Sequence, residues 1–461
     1  MEVFPPQIDR LASARQALLD HYGHSGFRPL QGVIVGAVIT GKDVLAVLPT
    51  GGGKSICYQI PAVLRSGLTL VISPLIALMQ DQVDSARRRG IPSGMVNSSQ
   101  SEGDQQEVLS RVRRGEIKLL YAAPERMVRL ARELQAMRVR PALMAVDEAH
   151  CISEWGHDFR PAYRGLGRAR WQLGWPQTIG LTGSATVDVR SDIHAVLRLG
   201  RVGRGRGHPF ATYVGSFDRP NLVFGVRAVK SNQERLHHLL LMLRRTSGAA
   251  IVYAPTRNLS ESLSRILWHH GVRAIPYHAG LTAERRHRTL VRFLDRDVQV
   301  VVATCAFGMG IDAPHVRLVA HWSPPPTIEA YYQEAGRAGR DGERAECLLF
   351  HHGSDFSLRR RLLLATFPPR RLVERAWKDP EVSARLPDTI RLSVERLRAE
   401  LRPDRGTADW GRIRRRRRLA LRRLHAMESY AGTRRCRRRV LLEWFGEGLG
   451  RCGGCDRCGD P

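Results

Sequence analysis

Between Leu45 and Leu349 short apolar runs recur, each followed by a turn and then a longer mixed segment. Short continuous apolar runs suit strands buried on both faces, and the mixed stretches suit crossover helices, so the pattern predicts parallel α/β sheets. The first set of runs is Val44 to Leu48, Leu68 to Ile72, Ile117 to Tyr121, Leu143 to Val146 and Thr178 to Leu181. The second begins after Phe217-Asp218-Arg219-Pro220 and comprises Ala249 to Tyr253, Arg273 to Tyr277, Val298 to Ala303, Leu318 to His321 and Ala345 to Phe350. Two α/β domains of similar size are expected, 1–214 and 215–352. Beyond His351 the strand pattern stops. Residues 354–430 read as helical, interrupted by Pro368-Pro369, Pro380, Pro387 and Pro403. This gives a helical linker or insertion over 353–425 and a small C-terminal subdomain over 426–461.

The chain of 461 residues is long enough for several cores, and its net charge of +29 points to a polyanionic partner, nucleic acid first. The excess is almost all arginine. The only lysines are Lys42, Lys54, Lys118, Lys230 and Lys378, so a lysine inside a motif carries more information than an arginine. No window approaches a membrane-spanning apolar length, and Met1 to Arg10 lacks the plan of a secretory signal, so a cytoplasmic protein without a membrane segment is expected, nucleoid-associated if bacterial.

Leu48-Pro49-Thr50-Gly51-Gly52-Gly53-Lys54-Ser55 follows an expected strand and opens a helix, the setting a phosphate-binding loop requires. Thr50, Gly51, Gly52 and Gly53 would wrap backbone N–H groups around phosphate oxygens, Lys54 would supply a point charge, and Ser55 would offer its hydroxyl to Mg²⁺. A glycine-rich turn is the plainer alternative, since the strict pattern has glycine where Leu48 stands. Downstream, Leu143-Met144-Ala145-Val146-Asp147-Glu148-Ala149-His150 delivers two carboxylates at the end of a strand. Asp147 suits Mg²⁺ and Glu148 suits activation of the water that attacks the γ-phosphate of ATP. Gln333-Glu334-Ala335-Gly336-Arg337-Ala338-Gly339-Arg340 sets two arginines in a glycine frame, suited to reach phosphates as arginine fingers.

With these motifs on the chain, the sequence resembles superfamily 2 nucleic-acid helicases and, within them, the RecQ family. Phe27-Arg28-Pro29-Leu30-Gln31 looks like that family's adenine-reading motif, and Leu48 departs from the generic loop as RecQ members do. Val71 to Gln82, Ala123-Pro124-Glu125-Arg126, Leu181 to Thr186 and Ala303 to Asp312 are similar to the remaining motifs, in order. The resemblance covers about residues 10–352 and resumes at the C-terminus. It implies two tandem RecA-like parallel-sheet domains, a helical segment and a small zinc-binding subdomain, with ATP and Mg²⁺ between the two RecA-like domains. His24, Arg28, Gln31, Gly310 and Asp312 would serve nucleotide binding, with Gln333 beside Arg337 and Arg340. Ser184, Thr186 and Thr304 would serve DNA contact or its coupling to hydrolysis. His24 stands where relatives often carry a larger aromatic.

The most family-specific stretch is Cys151-Ile152-Ser153-Glu154-Trp155-Gly156-His157-Asp158-Phe159-Arg160-Pro161. Trp155, His157, Phe159 and Arg160 could stack on unpaired bases and report them to the ATP site, against the simpler view that the aromatics are core. Cys436, Cys452, Cys455 and Cys458 have the spacing of a closed four-thiolate Zn²⁺ site. Residues 412–439 hold thirteen arginines against Glu428 alone, either a phosphate track or a solvated basic helix.

The reading is an ATP-dependent 3′ to 5′ DNA helicase of RecQ type in recombination and repair, acting on single-stranded, forked or 3′-tailed DNA. The polarity comes from the resemblance alone. An RNA helicase sharing the Asp-Glu-Ala-His motif and a non-catalytic DNA-binding or strand-annealing protein are the alternatives. Because the chain stops at Pro461, no counterpart of the family's winged-helix or small helical C-terminal domain is expected, although Thr389 to Leu401 weakly resembles one winged-helix helix. Short forked duplexes should open and long blunt ones should not.

Overall fold

The computed structural model describes residues 7–49, 51–156, 158–201, 208–308, 313–401 and 409–459. They divide into two compact units, Met1–Phe217 with Phe445–Glu447, and Asp218–Trp444 with Gly448–Pro461. In the first unit β1 (Asp43–Val47), β2 (Thr69–Ile72), β3 (Ser93–Val96), β4 (Leu119–Ala122), β5 (Leu143–Val146), β6 (Gln177–Thr182) and β7 (Phe210–Val214) form one parallel sheet of order β3-β4-β2-β5-β6-β1-β7. The four central neighbours, β2, β5, β6 and β1, end in Ser73-Pro74, Asp147-Glu148, Gly183-Ser184 and Leu48-Pro49. These four motif segments of the unit therefore issue from one edge of the sheet, the usual place for ligands in α/β folds.

The sheet is anchored at its opposite edge by a buried ion pair. Arg170 grips both carboxylate oxygens of Asp43 at 2.9 and 2.7 Å and donates to the carbonyls of Pro176, Leu197 and Arg198. Asp43 also accepts from the Thr178 and Gly200 amides, so this pair registers the start of β1 against β6.

In the second unit β8 (Leu222–Ala228), β9 (Ala249–Tyr253), β10 (Ala274–Tyr277), β11 (Val300–Ala303), β12 (Val316–His321) and β13 (Ala345–His351) form a second parallel sheet of order β10-β11-β9-β12-β13-β8. Successive side chains of β9 serve opposite faces: Ala249, Ile251 and Tyr253 enter one core, and Ala250 and Val252 enter the other. Both cores are covered by helices, which explains the near-continuous apolar runs of the central strands.

The predicted helical stretch is a set of helices: Gly353–Ala365, Arg370–Lys378, Pro380–Ala384, Asp388–Leu401 and Trp410–Gly432. Its prolines fall where helices start, Pro369 at an N-cap and Pro380 at a first position, because a missing N–H costs nothing there. Val373, Ala376, Val394, Leu397, Trp410 and Ile413 form a small separate core. The helix Asp388–Leu401 packs in this all-helical cluster, and among the described residues no strand pairs with it. Pro403 lies outside the described residues.

Candidate functional site

The loop after β1 gives the phosphate cradle its shape. Gly51 and Gly53 have φ of +82° and +67°, a region that favours glycine, and a Cβ on Gly52 would lie 2.9 Å from the Pro49 carbonyl oxygen. Lys54 and Ser55 follow and lead into the helix Ile56–Leu64. The side chain of Gln31, 1% exposed, donates to the carbonyls of Gly52 and Gly53 at 3.1 Å each and accepts the Arg28 amide at 2.8 Å. Arg28 donates to the Gly51 carbonyl. Gln31 and Arg28 thus hold the loop's backbone from outside. His24 is exposed and stacks on Tyr22 with ring centroids 6.4 Å apart. Thr50 lies outside the described residues.

At the end of β5 the Asp147 amide donates to the Ile72 carbonyl at 2.9 Å, and the Asp147 carboxylate accepts the Glu148 amide at 2.9 Å. Glu148 takes a left-handed backbone, φ +45°, an uncommon conformation for a side-chain-bearing residue. Burial, with Glu148 adding to it and Lys54 opposing, pushes the Asp147 carboxyl up to about 6. As pH rises from about 4 to about 6, the unfolded chain releases the Asp147 proton while the folded chain keeps it, so the metal-free protein loses stability across that window. Asp147→Asn should therefore stabilise the metal-free protein at pH 7.5 by about 1–2 kcal/mol, with no gain at about pH 4 or below. Thermal unfolding in chelator at the two pH values checks this, and an equal shift at both would remove the charge explanation.

His150 ties this corner to its neighbours. Its Nδ1 lies 3.0 Å from Thr182 Oγ1 and 3.2 Å from Glu148 Oε2. Ser184, buried, has its amide 3.3 Å from the same Thr182 hydroxyl, and Thr186 occupies the N-cap position of the helix Val187–Leu197 without a side-chain capping hydrogen bond. The aromatic loop turns directly beneath: a Cβ on Gly156 would strike the His150 carbonyl oxygen. Trp155 is 37% exposed and Phe159 half-buried, so neither is a core residue. Arg160 donates to the Pro74 carbonyl at 2.7 Å and pairs with Asp158 at 3.2 Å. His157 lies outside the described residues.

In the second unit the arginine loop follows the helix Ile328–Ala335. Gly339, at φ +54°, donates its amide to the Val316 carbonyl at 2.9 Å. Arg219 donates to the Gly336, Ala338 and Gly339 carbonyls, and Asn221 to those of Gly339 and Glu343. Arg337 is buried beside Gly308, while Arg340 and Gln333 are half-buried. Thr304, at the end of β11, is half-buried. Gly310 and Asp312 lie outside the described residues.

The four cysteines meet. Their sulfurs all lie within 4.8 Å of one another, with Cys436 and Cys455 at 3.9 Å, and the Gly454 amide points at the Cys452 sulfur at 3.4 Å. Four thiol groups converging with an N–H donor on one sulfur fit a structural Zn²⁺ and leave no position for substrate. Cys455 bridges to Phe224 of β8, and the Asp456 amide donates to the Phe224 carbonyl at 3.0 Å, so the segment covers the free edge of that strand. From the adjoining helix Arg437–Trp444, Arg437 pairs with Asp456 at 2.9 Å. Arg438, 1% exposed, pairs with Asp218 and donates to the Arg219 and Leu222 carbonyls.

These contacts split the basic run. Arg423, Arg437 and Arg438 are buried and pair with Glu329, Asp456 and Asp218, and Arg416 lies over the Phe367 ring. Arg414, Arg415, Arg417 and Arg418 are exposed on the helix Trp410–Gly432. If the exposed four contact a nucleic-acid backbone, replacing them by Gln should flatten the slope of log affinity against log salt by about 3 units. Fluorescence titration on single-stranded DNA at several salt concentrations reads this directly, and an unchanged slope means they face solvent only.

Two RecA-like parallel sheets, the first ending in a glycine-rich loop and an adjacent carboxylate pair, place this protein in the class of tandem RecA-like-domain proteins. Residues 28–193 match the DEAD/DEAH box helicase family, 231–342 the helicase conserved C-terminal domain and 398–459 the RecQ zinc-binding family. The chain belongs to the RecQ family. It is 37% identical to the ATP-dependent DNA helicase RecQ of Haemophilus influenzae, over 97% of this chain and 64% of that protein. It is 36% identical to the probable ATP-dependent DNA helicase RecS of Bacillus subtilis, over 77% of this chain and 70% of that protein. The chain spans under two thirds of the length of the RecQ proteins of H. influenzae and Pasteurella multocida that it matches. The fold is shared with the Mycobacterium smegmatis helicase Lhr bound to ssDNA and AMP-PNP, at TM-score 0.57 and 20% identity, over 85% of this chain and 56% of that one. It is also shared with Saccharomyces cerevisiae Dbp5 bound to RNA and ADP BeF3, at TM-score 0.60 and 15% identity, over 77% and 92%. Among the described residues no helix is long and apolar enough to cross a membrane.

Proposed function

We propose that this protein is an ATP- and Mg²⁺-dependent DNA helicase that moves 3′ to 5′ on single-stranded DNA, opens forked or 3′-tailed duplexes and serves recombination and repair. The names of its relatives support helicase action on DNA. The polarity is that of the family it resembles. The observation that carries the reading is the junction at His150, which contacts Glu148, Thr182 and the underside of the aromatic loop. Through it the residue that activates water and the residues that stack on bases share one rigid neighbour, which is what DNA-stimulated hydrolysis needs. Lys54 binds the β and γ phosphates, Ser55 and Asp147 hold Mg²⁺, Glu148 orients the attacking water, and Arg340 with Arg337 supplies charge as the γ-phosphate transfers.

ATP turnover compared on single-stranded DNA, duplex DNA and RNA tests the reading. Single-stranded DNA should stimulate strongly and RNA little. Trp155→Ala and Phe159→Ala should each lose the stimulation while hydrolysis without DNA continues, since each stacked base contributes about 1–3 kcal/mol. Equal stimulation by RNA would move the substrate to RNA, and stimulation surviving both substitutions would remove the aromatic loop from the coupling.

A further inference from the structure

A second group of metal-ligating atoms lies in the first unit. His150, Cys151 and Asp158 bring an imidazole nitrogen, a thiol sulfur and a carboxylate oxygen within 4.8 Å of one another. Cys151 Sγ is 3.8 Å from His150 Nε2 and 3.7 Å from Asp158 Oδ2. Around a tetrahedral zinc ion, bond lengths of about 2.3 Å to sulfur and about 2.0–2.2 Å to nitrogen or oxygen put the sulfur about 3.5 Å from each other ligand. The two edges here exceed that by only a few tenths of an ångström. The far side of the imidazole is also prepared: Nδ1 faces Thr182 Oγ1 at 3.0 Å and Glu148 Oε2 at 3.2 Å. A hydroxyl or carboxylate on the second ring nitrogen is the usual outer partner of a metal-bound histidine, and it directs Nε2 toward the ligand side. His150 and Cys151 are buried, whereas Asp158 reaches solvent and offers a way in.

We propose that His150 Nε2, the Cys151 thiolate and Asp158 form an inhibitory site for a zinc-type divalent cation, with water as fourth ligand. One sulfur, one nitrogen and one oxygen suit zinc or cobalt(II) and not magnesium. On binding, the Cys151 thiol proton, and the imidazole proton where His150 carries one, pass to solvent, and no electrons are transferred. Asp158 must leave Arg160, its present partner at 3.2 Å, so this site fills after the four-cysteine site. The same exchange frees Arg160, which also holds the Pro74 carbonyl, and pins His150 beside Glu148. The cation would thereby lock the aromatic loop to the carboxylate corner and suppress the DNA-stimulated part of turnover.

The test uses the full chain with zinc in its four-cysteine site, dialysed against buffered cobalt(II), with metals counted by elemental analysis and cobalt read by its thiolate charge-transfer absorption. The wild-type protein should take a second equivalent with this band. Cys151→Ser and Asp158→Asn should each lose it while keeping their C-terminal zinc. Asp158→Asn is a conservative change at a solvent-reaching position, so it decides the matter if Cys151→Ser does not fold. Filling the site should lower DNA-stimulated turnover about tenfold in the wild type and not in Asp158→Asn. A wild type that stops at one metal, or a second equivalent that persists in both variants, overturns the site. Binding without inhibition, or inhibition undiminished in Asp158→Asn, overturns its regulatory role. The metal count is independent of the helicase reading.

Discussion

Glu148→Gln will lower ATP turnover by about 10²–10⁴-fold while nucleotide and DNA still bind, because the amide keeps the shape of the corner and loses the base. The left-handed backbone at 148 is set by its surroundings, including the Asp147 carboxylate on its amide and the His150 segment beyond it, so the variant should fold. Lys54→Ala should match the loss of turnover but also weaken ATP binding, since its charge acts on the ground-state phosphates. Arg340→Ala should lower turnover by roughly 10³–10⁵-fold with binding retained, as charge supplied only while the γ-phosphate transfers would require. Steady-state hydrolysis paired with fluorescent-nucleotide binding separates these cases. Normal turnover in Glu148→Gln sinks the site assignment, and retained turnover in Arg340→Ala passes the finger role to Arg337.

The second large effect is expected at the cysteines. Structural zinc sites commonly supply about 10–16 kcal/mol of apparent binding energy at neutral pH, all of it linked to folding of the segment that holds the metal. Here that segment also carries Arg437 and Arg438, and Arg438 holds Asp218 and the Arg219 carbonyl while Arg219 holds three carbonyls of the arginine loop. Cys455→Ser, or zinc removal by chelator, should therefore lower the melting temperature by roughly 10 °C or more and reduce turnover. Arg438→Ala should reduce turnover with zinc still bound, which distinguishes lost bracing from lost metal. Calorimetry with zinc analysis reads both, and full turnover in metal-free Cys455→Ser would refute the link.

The central strands were legible because each is buried on both faces and reads as an unbroken apolar run. The three strands that the pattern does not reveal, β3, β7 and β8, are all edges: β3 opens on Ser93-Gly94, β7 is only half-buried, and β8 carries Gly225 and Arg227. β7 and β8 bury less, so their sequences need not be continuous, whereas β3 is buried but is only four residues long and opens on two small residues. The phosphate loop, the carboxylate pair and the cysteines stood out because their spacing is local. The bracing residues did not, since Arg438 and Asp218 are 220 positions apart and Arg438 sits in a run, 412–439, that holds thirteen arginines. Charge pattern alone cannot separate Arg437 and Arg438, which are buried and paired, from Arg417 and Arg418, which are exposed. Likewise the place of Gln31 in a family motif says nothing of its grip on Gly52 and Gly53.

The covering of β8 by Cys455 and Asp456 has a consequence for how the protein fails. Leu222-Val223-Phe224-Gly225-Val226 is a hydrophobic, proline-free strand whose outer N–H and C=O groups are partly engaged by the metal-binding segment. Stripped of that segment, it becomes a template for pairing with the same strand of another molecule. Oxidation or chelation of the cysteines would then show itself first as self-association into particles, with most helix and sheet still formed, and only afterwards as unfolding.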